Sequence, residues 1–287
     1  MANLKEIRNR IASVSSTMQI TSAMKMVSAA KLKKAQDAIT AMRPYSEKLT
    51  ELLQNLSATL DSDNGGAFAE QRAVNKVLIV AITSNRGLCG AFNANVIKQI
   101  KVLQDAYAGK KVDVLAIGKK GNDGLKKTCN IVGNESSLFD TLTFENVANV
   151  AQMLMDRFAA GEYDKIEIVY NHFKNAATQV VLTEQFLPLA PAQTTEAATT
   201  ATDYIFEPSK EEIVKSLVPL SLKTQLYKAI RDSFASEHGA RMTAMHKATD
   251  NATDLRNQLK LTYNKARQAA ITGEILEIVG GAEALNN

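Results

Sequence analysis

The C-terminal stretch from Ser209 to Leu285 carries apolar or small side chains at steps of mostly three and four residues. The members of this stripe are Ile213, Leu217, Leu220, Ile230, Phe234, Met242, Met245, Ala248, Ala252, Leu255, Leu259 and Ala266. Only one proline and two isolated glycines interrupt the stretch before Gly280, and a lone glycine weakens a helix by only ~1 kcal/mol. The pattern predicts one coiled-coil helix about 100 Å long, which needs a partner to bury its stripe.

The N-terminal residues repeat the same pattern. Their apolar positions are Leu4, Ile7, Ile11, Val14, Met18, Val27, Ala30, Ala35, Ile39 and Met42, and after Pro44 they are Leu49, Leu52, Leu53, Leu56 and Leu60. Because roughly 150 residues join the two helices, they can pair antiparallel within one molecule. The C-terminal helix is longer by roughly fifteen to twenty residues, or ~25–30 Å. Its apolar end, from Ile271 to Val279, should therefore overhang and require a second protein around it.

The middle of the chain has a different character. Short apolar runs predict strands at 77–83, 112–117, 165–170 and 179–187, and helices are expected at 93–106 and 144–160. Alternating strands and helices with short connections indicate a small α/β domain with a mostly parallel sheet. The predicted organisation is a coiled-coil helix at 1–60, an α/β domain at 75–190 and a second coiled-coil helix at 208–285. Residues 190–203 are read as a linker, and Ser209 with Glu212 as a capping box.

Charge is concentrated at the N-terminus. Residues 1–60 hold nine Lys and Arg against four acids, whereas the whole chain has a net charge of only +4. This surface is either a solvated helix face or a docking surface for an acidic partner. Nucleic acid is disfavoured, because no aromatic residues lie among Lys25, Lys31, Lys33 and Lys34 to stack on bases. No apolar run approaches the ~20 residues of a membrane span.

The sequence predicts no catalytic, cofactor or metal site. The turn 84–90 follows a strand and precedes a helix, but it lacks the lysine of a phosphate-binding P-loop. Gly118, Gly121 and Gly124 do not form the dinucleotide fingerprint, so they are interpreted as glycines of tight turns. The histidine and cysteine positions do not have the spacing of a zinc or redox motif.

Several segments resemble the gamma subunits of bacterial F-type ATP synthases over essentially the full length. They are residues 7–14 and 20–27, the turn 84–90 with Phe92 and Asn93, and the C-terminal segments 240–245, 248–252, 263–269 and 271–279. Ala91 stands where the family commonly has a second glycine. The C-terminal segments are the most specific part of the match.

The resemblance implies a rotor of the central stalk. In that family the terminal helices form an antiparallel coiled coil inside a ring of alternating α and β subunits. The globular domain lies near the epsilon subunit and the membrane-embedded proteolipid ring. Ion flow turns the rotor, which drives each β subunit through different nucleotide-binding states. The resemblance further implies a single, non-catalytic copy in a hetero-oligomer, peripheral to the cytoplasmic face of the bacterial inner membrane.

Five residues match interface positions of that family. Met24 and Lys25 correspond to the region facing an acidic lever segment of β, and Arg241, Gln268 and Thr272 correspond to polar positions that touch β loops. An arginine offers a directional charged contact, while Gln and Thr can exchange hydrogen bonds as a partner moves. Photosynthetic relatives carry an inserted cysteine pair, whereas Cys89 and Cys129 are forty residues apart here, so no thiol switch is expected.

Two other classes of protein remain as alternatives. One is a nucleotide-binding α/β enzyme with helical oligomerisation arms, which would bind ATP or NAD as an isolated chain. The other is a homodimeric coiled-coil scaffold or nucleic-acid binder, in which the long helices would pair between chains.

Overall fold

The computed structural model describes residues 4–57, 68–189 and 210–286. Two long helices, α1 (Leu4–Ser57) and α5 (Lys210–Asn286), flank an α/β domain. The strands of that domain are β1 (Lys76–Ile82), β2 (Lys111–Ile117), β3 (Asn130–Asn134), β4 (Lys165–Phe173) and β5 (Gln179–Leu187). Its helices are α2 (Phe92–Ala106), α3 (Lys119–Leu125), a 3-10 turn (Ser136–Phe139) and α4 (Phe144–Ala159). The predicted combination of paired long helices and a small α/β domain is confirmed.

The five strands form one sheet in the order β3-β2-β1-β4-β5. The pairs β1–β2, β1–β4 and β2–β3 are parallel, and only the edge pair β4–β5 is antiparallel. Central strand β1 is apolar at every position from Val77 to Ile82, because both of its faces are covered. The sheet is thus mostly parallel, as the alternation of strands and helices predicts.

The two faces of the sheet are covered by different helices. Leu78, Val80 and Ile82 point into a core shared with α4 and α5, whereas Val77, Ile79 and Ala81 point into a core shared with α2 and α3. Within this unit, which comprises residues 29–241, α5 therefore packs on one face and the α2–α3 layer covers the opposite one.

The other unit consists of residues up to 28 and from 242 onward, and it is an antiparallel helix pair. Side-chain contacts connect Arg8 with Tyr263, Met18 with Thr253, Thr21 with Thr249 and Lys25 with His246. The residue numbers of each pair sum to 270 or 271, so the register is unbroken over this length. Since α1 starts at Leu4, α5 continues for roughly nineteen residues, or about 28 Å, beyond it.

Some details of the sequence prediction are wrong. Val27, Ala30 and Leu255 belong to the predicted apolar stripes but are exposed, and on α1 the polar residues Thr21, Lys25 and Ser28 occupy the inward positions instead. The chain turns at Gly118 from β2 directly into the short helix α3, and the sequence prediction includes neither this helix nor strand β3. The predicted linker at 190–203, the Ser209 cap and the last residues of the first helix lie outside the described residues.

Candidate functional site

Arg241 is the centre of a buried polar cluster between α5 and the turn that follows β1. Its Nη1 lies 2.7 Å from the Glu237 carboxylate and 3.3 Å from Nδ1 of His238. Its Nη2 donates to the backbone oxygens of Arg86 at 3.0 Å and Gly87 at 3.3 Å. Only 7% of the residue is exposed. The donors of this guanidinium are therefore used within the chain, in a geometry that fixes the turn against the helix.

The groups around Arg241 have shifted pKa values. Burial raises the pKa of Glu237, and the attraction of Arg241 opposes that rise. Burial together with the positive charges of Arg241 and Lys31 lowers the pKa of His238 to about 4, so this imidazole is neutral at pH 7. Its Nε2 is buried, and none of the described residues forms a hydrogen bond with it. Burial also raises the pKa of the Cys89 thiol, which disfavours the reactive thiolate. The expectation that no thiol switch operates here stays a prediction.

Three further side chains of α5 donate hydrogen bonds to backbone carbonyls of the α/β domain. Gln225 binds the oxygen of Gln185 at 3.2 Å, Arg231 that of Leu142 at 3.1 Å, and Ser236 that of Asn171 at 3.0 Å. Together with Arg241 they connect α5 to four separate parts of the domain. These contacts have no signal in the sequence, since a polar residue on a long helix is ordinarily solvated.

Met24 and Lys25 lie in a segment of the helix pair that includes polar contacts between α1 and α5. Both side chains are half-buried, and Lys25 Nζ is 3.4 Å from Nδ1 of His246 on α5. The neighbouring contact is a hydroxyl pair, Thr21 with Thr249, at 2.8 Å. A coiled-coil seam with polar members gains less from burial than an apolar one, so hydrogen bonds contribute here beside the buried Met245.

Gln268 and Thr272 belong to the part of α5 that continues past the start of α1. Both are exposed, and they lie among exposed apolar side chains. Ile271 is 47% exposed, Ile278 is 71% exposed, and Ile275, Leu276 and Val279 lie within that range. Adding a Cβ at Gly273, Gly280 or Gly281 would meet nothing within 4 Å. The apolar overhang expected from the helix lengths is therefore present, and within the described part of the chain its large aliphatic side chains are exposed.

Gly118 and Gly121 have a structural role. A Cβ on Gly118 would lie 2.3 Å from the carbonyl oxygen of Thr83, and one on Gly121 would lie 2.6 Å from the hydroxyl of the same residue. Thr83 Oγ1 accepts a hydrogen bond from the backbone N–H of Gly121 at 2.8 Å. These glycines allow α3 to approach the end of β1, so their surroundings are filled by protein. Among the described residues, no group of three or more metal-ligating side chains lies together.

The five predicted interface residues thus have different surroundings. Met24 and Lys25 are half-buried on the helix pair, Gln268 and Thr272 are exposed on the overhang, and Arg241 is buried with internal partners. Their contacts with another protein stay a prediction. No described helix is long and apolar enough to cross a membrane.

Comparisons with known proteins cover nearly the whole chain. The family model described as ATP synthase matches residues 3–285. The chain is 79% identical to the ATP synthase gamma chain of Flavobacterium psychrophilum over 99% of both chains, and 66% identical to that of Christiangramia forsetii over 100% of both.

Solved structures agree in fold. The central stalk and c-ring structure of the Tetrahymena thermophila mitochondrial ATP synthase contains a chain that is 29% identical, with a TM-score of 0.62 over 80% of this chain and 99% of that one. A chain of the Euglena gracilis mitochondrial enzyme, in a structure of OSCP, F1 and c-ring, matches with a TM-score of 0.69 over 98% of this chain and 94% of that one, at 22% identity.

Proposed function

Since this chain belongs to the family of ATP synthase gamma chains, non-catalytic subunits of the central stalk, we propose that its bare apolar helix end turns inside a ring of partner subunits. As the rotor, the chain couples ion-driven rotation to conformational changes at the catalytic β subunits. The bare end of α5 is the observation that carries the proposal, because a single helix with five exposed large aliphatic residues requires a surrounding protein.

The partners follow from the family. The α and β subunits surround the helix pair, and the α/β domain lies against the epsilon subunit and the proteolipid ring. The complex is then attached to the cytoplasmic face of a bacterial inner membrane, with this chain in the peripheral part. A smooth apolar end suits a rotating contact, because apolar contacts are not directional and impose no preferred angle.

The five interface residues fall into groups according to the part of β that each is proposed to contact. Met24 and Lys25 are placed to meet an acidic segment of β from the side of the helix pair, and Gln268 and Thr272 meet β loops near the overhang. Arg241 acts through the turn at Arg86 and Gly87, because its own donors are engaged within the chain.

Co-purification tests the assembly. The chain is tagged near its central domain, the source membranes are extracted with mild detergent, and the intact complex is weighed by native mass spectrometry. One copy with α, β and epsilon subunits, and ATPase activity only in the complex, is the expected result. A homo-oligomer that binds nucleotide on its own would overturn the proposal.

Paired variants test the overhang. Ile275→Asp with Ile278→Asp places two carboxylates on the apolar end, and Glu274→Gln with Glu277→Gln changes two exposed residues of the same turns. We expect the first variant to leave the folding of the isolated chain unchanged, since these side chains are largely exposed in it, while ATP synthesis by reconstituted complexes falls severalfold. The second variant should synthesise ATP at the normal rate. Equal rates for both variants would contradict a seated apolar end.

A further inference from the structure

The outer surface of the α2–α3 layer carries a concentration of lysines that neither the fold nor the coiled coil uses. Residues 98–127 contain eight lysines, three aspartates and no arginine. Six of the lysines, here called the lysine face, lie on α2, on α3 and directly after α3: Lys98, Lys101, Lys119, Lys120, Lys126 and Lys127. All six are exposed. Among the described residues, none of the six takes part in a salt bridge.

The fold brings these lysines to one side of the domain. Helices α2 and α3 are in close contact, since a Cβ on Gly124 would lie 2.6 Å from Cδ1 of Ile97. Just beyond α3, the Cys129 thiol donates to Oε1 of Gln104 at 3.3 Å. On α2, Ile97 and Gln104 flank Lys101 at helical steps of four and three, so Lys101 lies on the side of α2 that faces α3. Two separate helices therefore contribute to one basic surface.

Charge differs between the segment that carries the lysine face and the segment that follows it. The following segment, residues 128–189, which contains α4, β4 and β5, holds eight acids against three Lys and Arg. The acidic helix α4 shares the face that packs against α5, whereas the lysine face covers the opposite one. A domain charged in this way is oriented by an electric field, and its basic side turns toward anionic material.

We propose that the lysine face is a docking surface for the anionic headgroups of a lipid membrane. Clusters of four to eight basic residues on a helical surface are typical of binding to anionic lipids, with each contributing by long-range attraction. Protein–protein interfaces are depleted in lysine and enriched in arginine and aromatic residues. The only aromatic residue in this segment, Tyr107, donates its hydroxyl hydrogen to Glu167 at 2.7 Å and is engaged in the fold. Within residues 98–127 no free aromatic ring is therefore available for the bases of a single-stranded nucleic acid to stack on.

Lysine also suits a surface that must move. An ammonium is a compact, strongly hydrated charge that makes no fixed bidentate bond, and lipid headgroups diffuse in the plane of the bilayer. Such a contact attracts the domain to the membrane without fixing its angle. The proposal stands apart from the proposed function, because it concerns this chain and lipid alone.

Vesicle flotation with the purified full-length chain tests whether the lysine face binds anionic lipid headgroups. Vesicles of phosphatidylcholine alone are compared with vesicles of phosphatidylcholine and phosphatidylglycerol in equal parts, at low and at physiological salt. The test variant neutralises four residues of the lysine face as K98Q/K101Q/K126Q/K127Q. The control, K33Q/K34Q/K260Q/K265Q, removes the same charge from exposed positions on α1 and α5. A third variant, with arginine at the four tested positions, keeps the charge.

The expected result is binding to the anionic vesicles only, and weaker binding at higher salt. Each lysine near an anionic surface contributes roughly fivefold in affinity, so the variant that lacks four of them should bind on the order of 600-fold more weakly. The control and the arginine variant should bind within about threefold of the wild type.

Equal loss in the test variant and the control would overturn the proposal, since net charge alone would then explain binding. So would a wild-type chain that ignores anionic vesicles at low salt. Selective binding of the lysine face to single-stranded DNA or polyglutamate, without binding to vesicles, would overturn it in favour of nucleic acid or an acidic protein. Circular dichroism of each variant excludes unfolding as the cause.

Discussion

Replacing Arg241 by methionine should destabilise the chain far more than replacing an arginine elsewhere on the same helix. The substitution keeps a long side chain but leaves the Glu237 carboxylate, which is 7% exposed, without the guanidinium that lies 2.7 Å away. Breaking a buried ion pair by removing one partner costs about 3–5 kcal/mol. The lost bonds to the oxygens of Arg86 and Gly87 add less, because Arg86 is exposed and water can reach this turn.

Protonation of Glu237 limits the loss of stability in Arg241→Met. Burial already raises the pKa of Glu237, and without Arg241 the main opposing influence disappears. The carboxyl can then take up a proton instead of staying charged, so we place the loss at neutral pH near the lower limit, at about 3 kcal/mol. The loss should shrink as the pH falls, because protonation of Glu237 then becomes easier.

Urea unfolding followed by circular dichroism measures this loss, since the chain has no tryptophan for fluorescence. The matched control is Arg256→Met, because Arg256 is half-buried on the same helix and contacts only the Met18 sulfur at 3.6 Å among the hydrogen-bonding groups described. Its loss should be at most about 1 kcal/mol.

A double variant identifies the cause of the loss. Glu237→Gln together with Arg241→Met removes the orphaned charge and should recover about 2 kcal/mol relative to Arg241→Met alone. If Arg241→Met costs no more than Arg256→Met, or if the added Glu237→Gln recovers nothing, the pair does not hold the helix to the turn.

Three further predictions concern separate parts of the chain. The pKa of His238 is lowered from 6.5 to about 4 in the folded chain, so between these pH values the unfolded chain binds a proton that the folded chain does not. The free energy of unfolding is therefore at its full value above pH 6.5 and falls by up to about 3 kcal/mol toward pH 4. In His238→Gln this part of the pH dependence should be absent when urea unfolding is measured across that range. Gly118→Ala should cost about 3 kcal/mol or more in urea unfolding, because φ is 115° and the new Cβ would meet Thr83, whereas Gly109→Ala at φ 84°, with open space around it, should cost about 1 kcal/mol. Thr21→Val or Thr249→Val alone should lower the free energy of unfolding in urea by about 1 kcal/mol, because the bond between the two hydroxyls is lost while the remaining hydroxyl keeps its bond to a backbone carbonyl. The double variant should lose no more than either single variant, and additive losses would contradict this.

The apolar spacing of the two termini determined the long helices, their need to pair and the bare end of α5. These features depend on period and length, which a sequence displays directly. The strands at 76–82 and 111–117 were equally visible, because a strand buried on both faces is mostly apolar, with Asp113 the one polar residue between Val112 and Ile117. The short strand β3 was missed since its pattern, with a glycine at 133, is too short and mixed to differ from a loop.

The tertiary structure alone decided which polar residues are buried and what they bind. Arg241 and Lys25 look alike in sequence as charged residues on amphipathic helices, yet one is enclosed by backbone carbonyls 154 and 155 residues away and the other stays at the edge of a helix pair. The inward positions of Thr21 and Ser28, in place of Val27 and Ala30, were likewise set by the register between the helices. Periodicity reports which face of a helix avoids water, but the partner of a polar group depends on chain segments brought together only by folding.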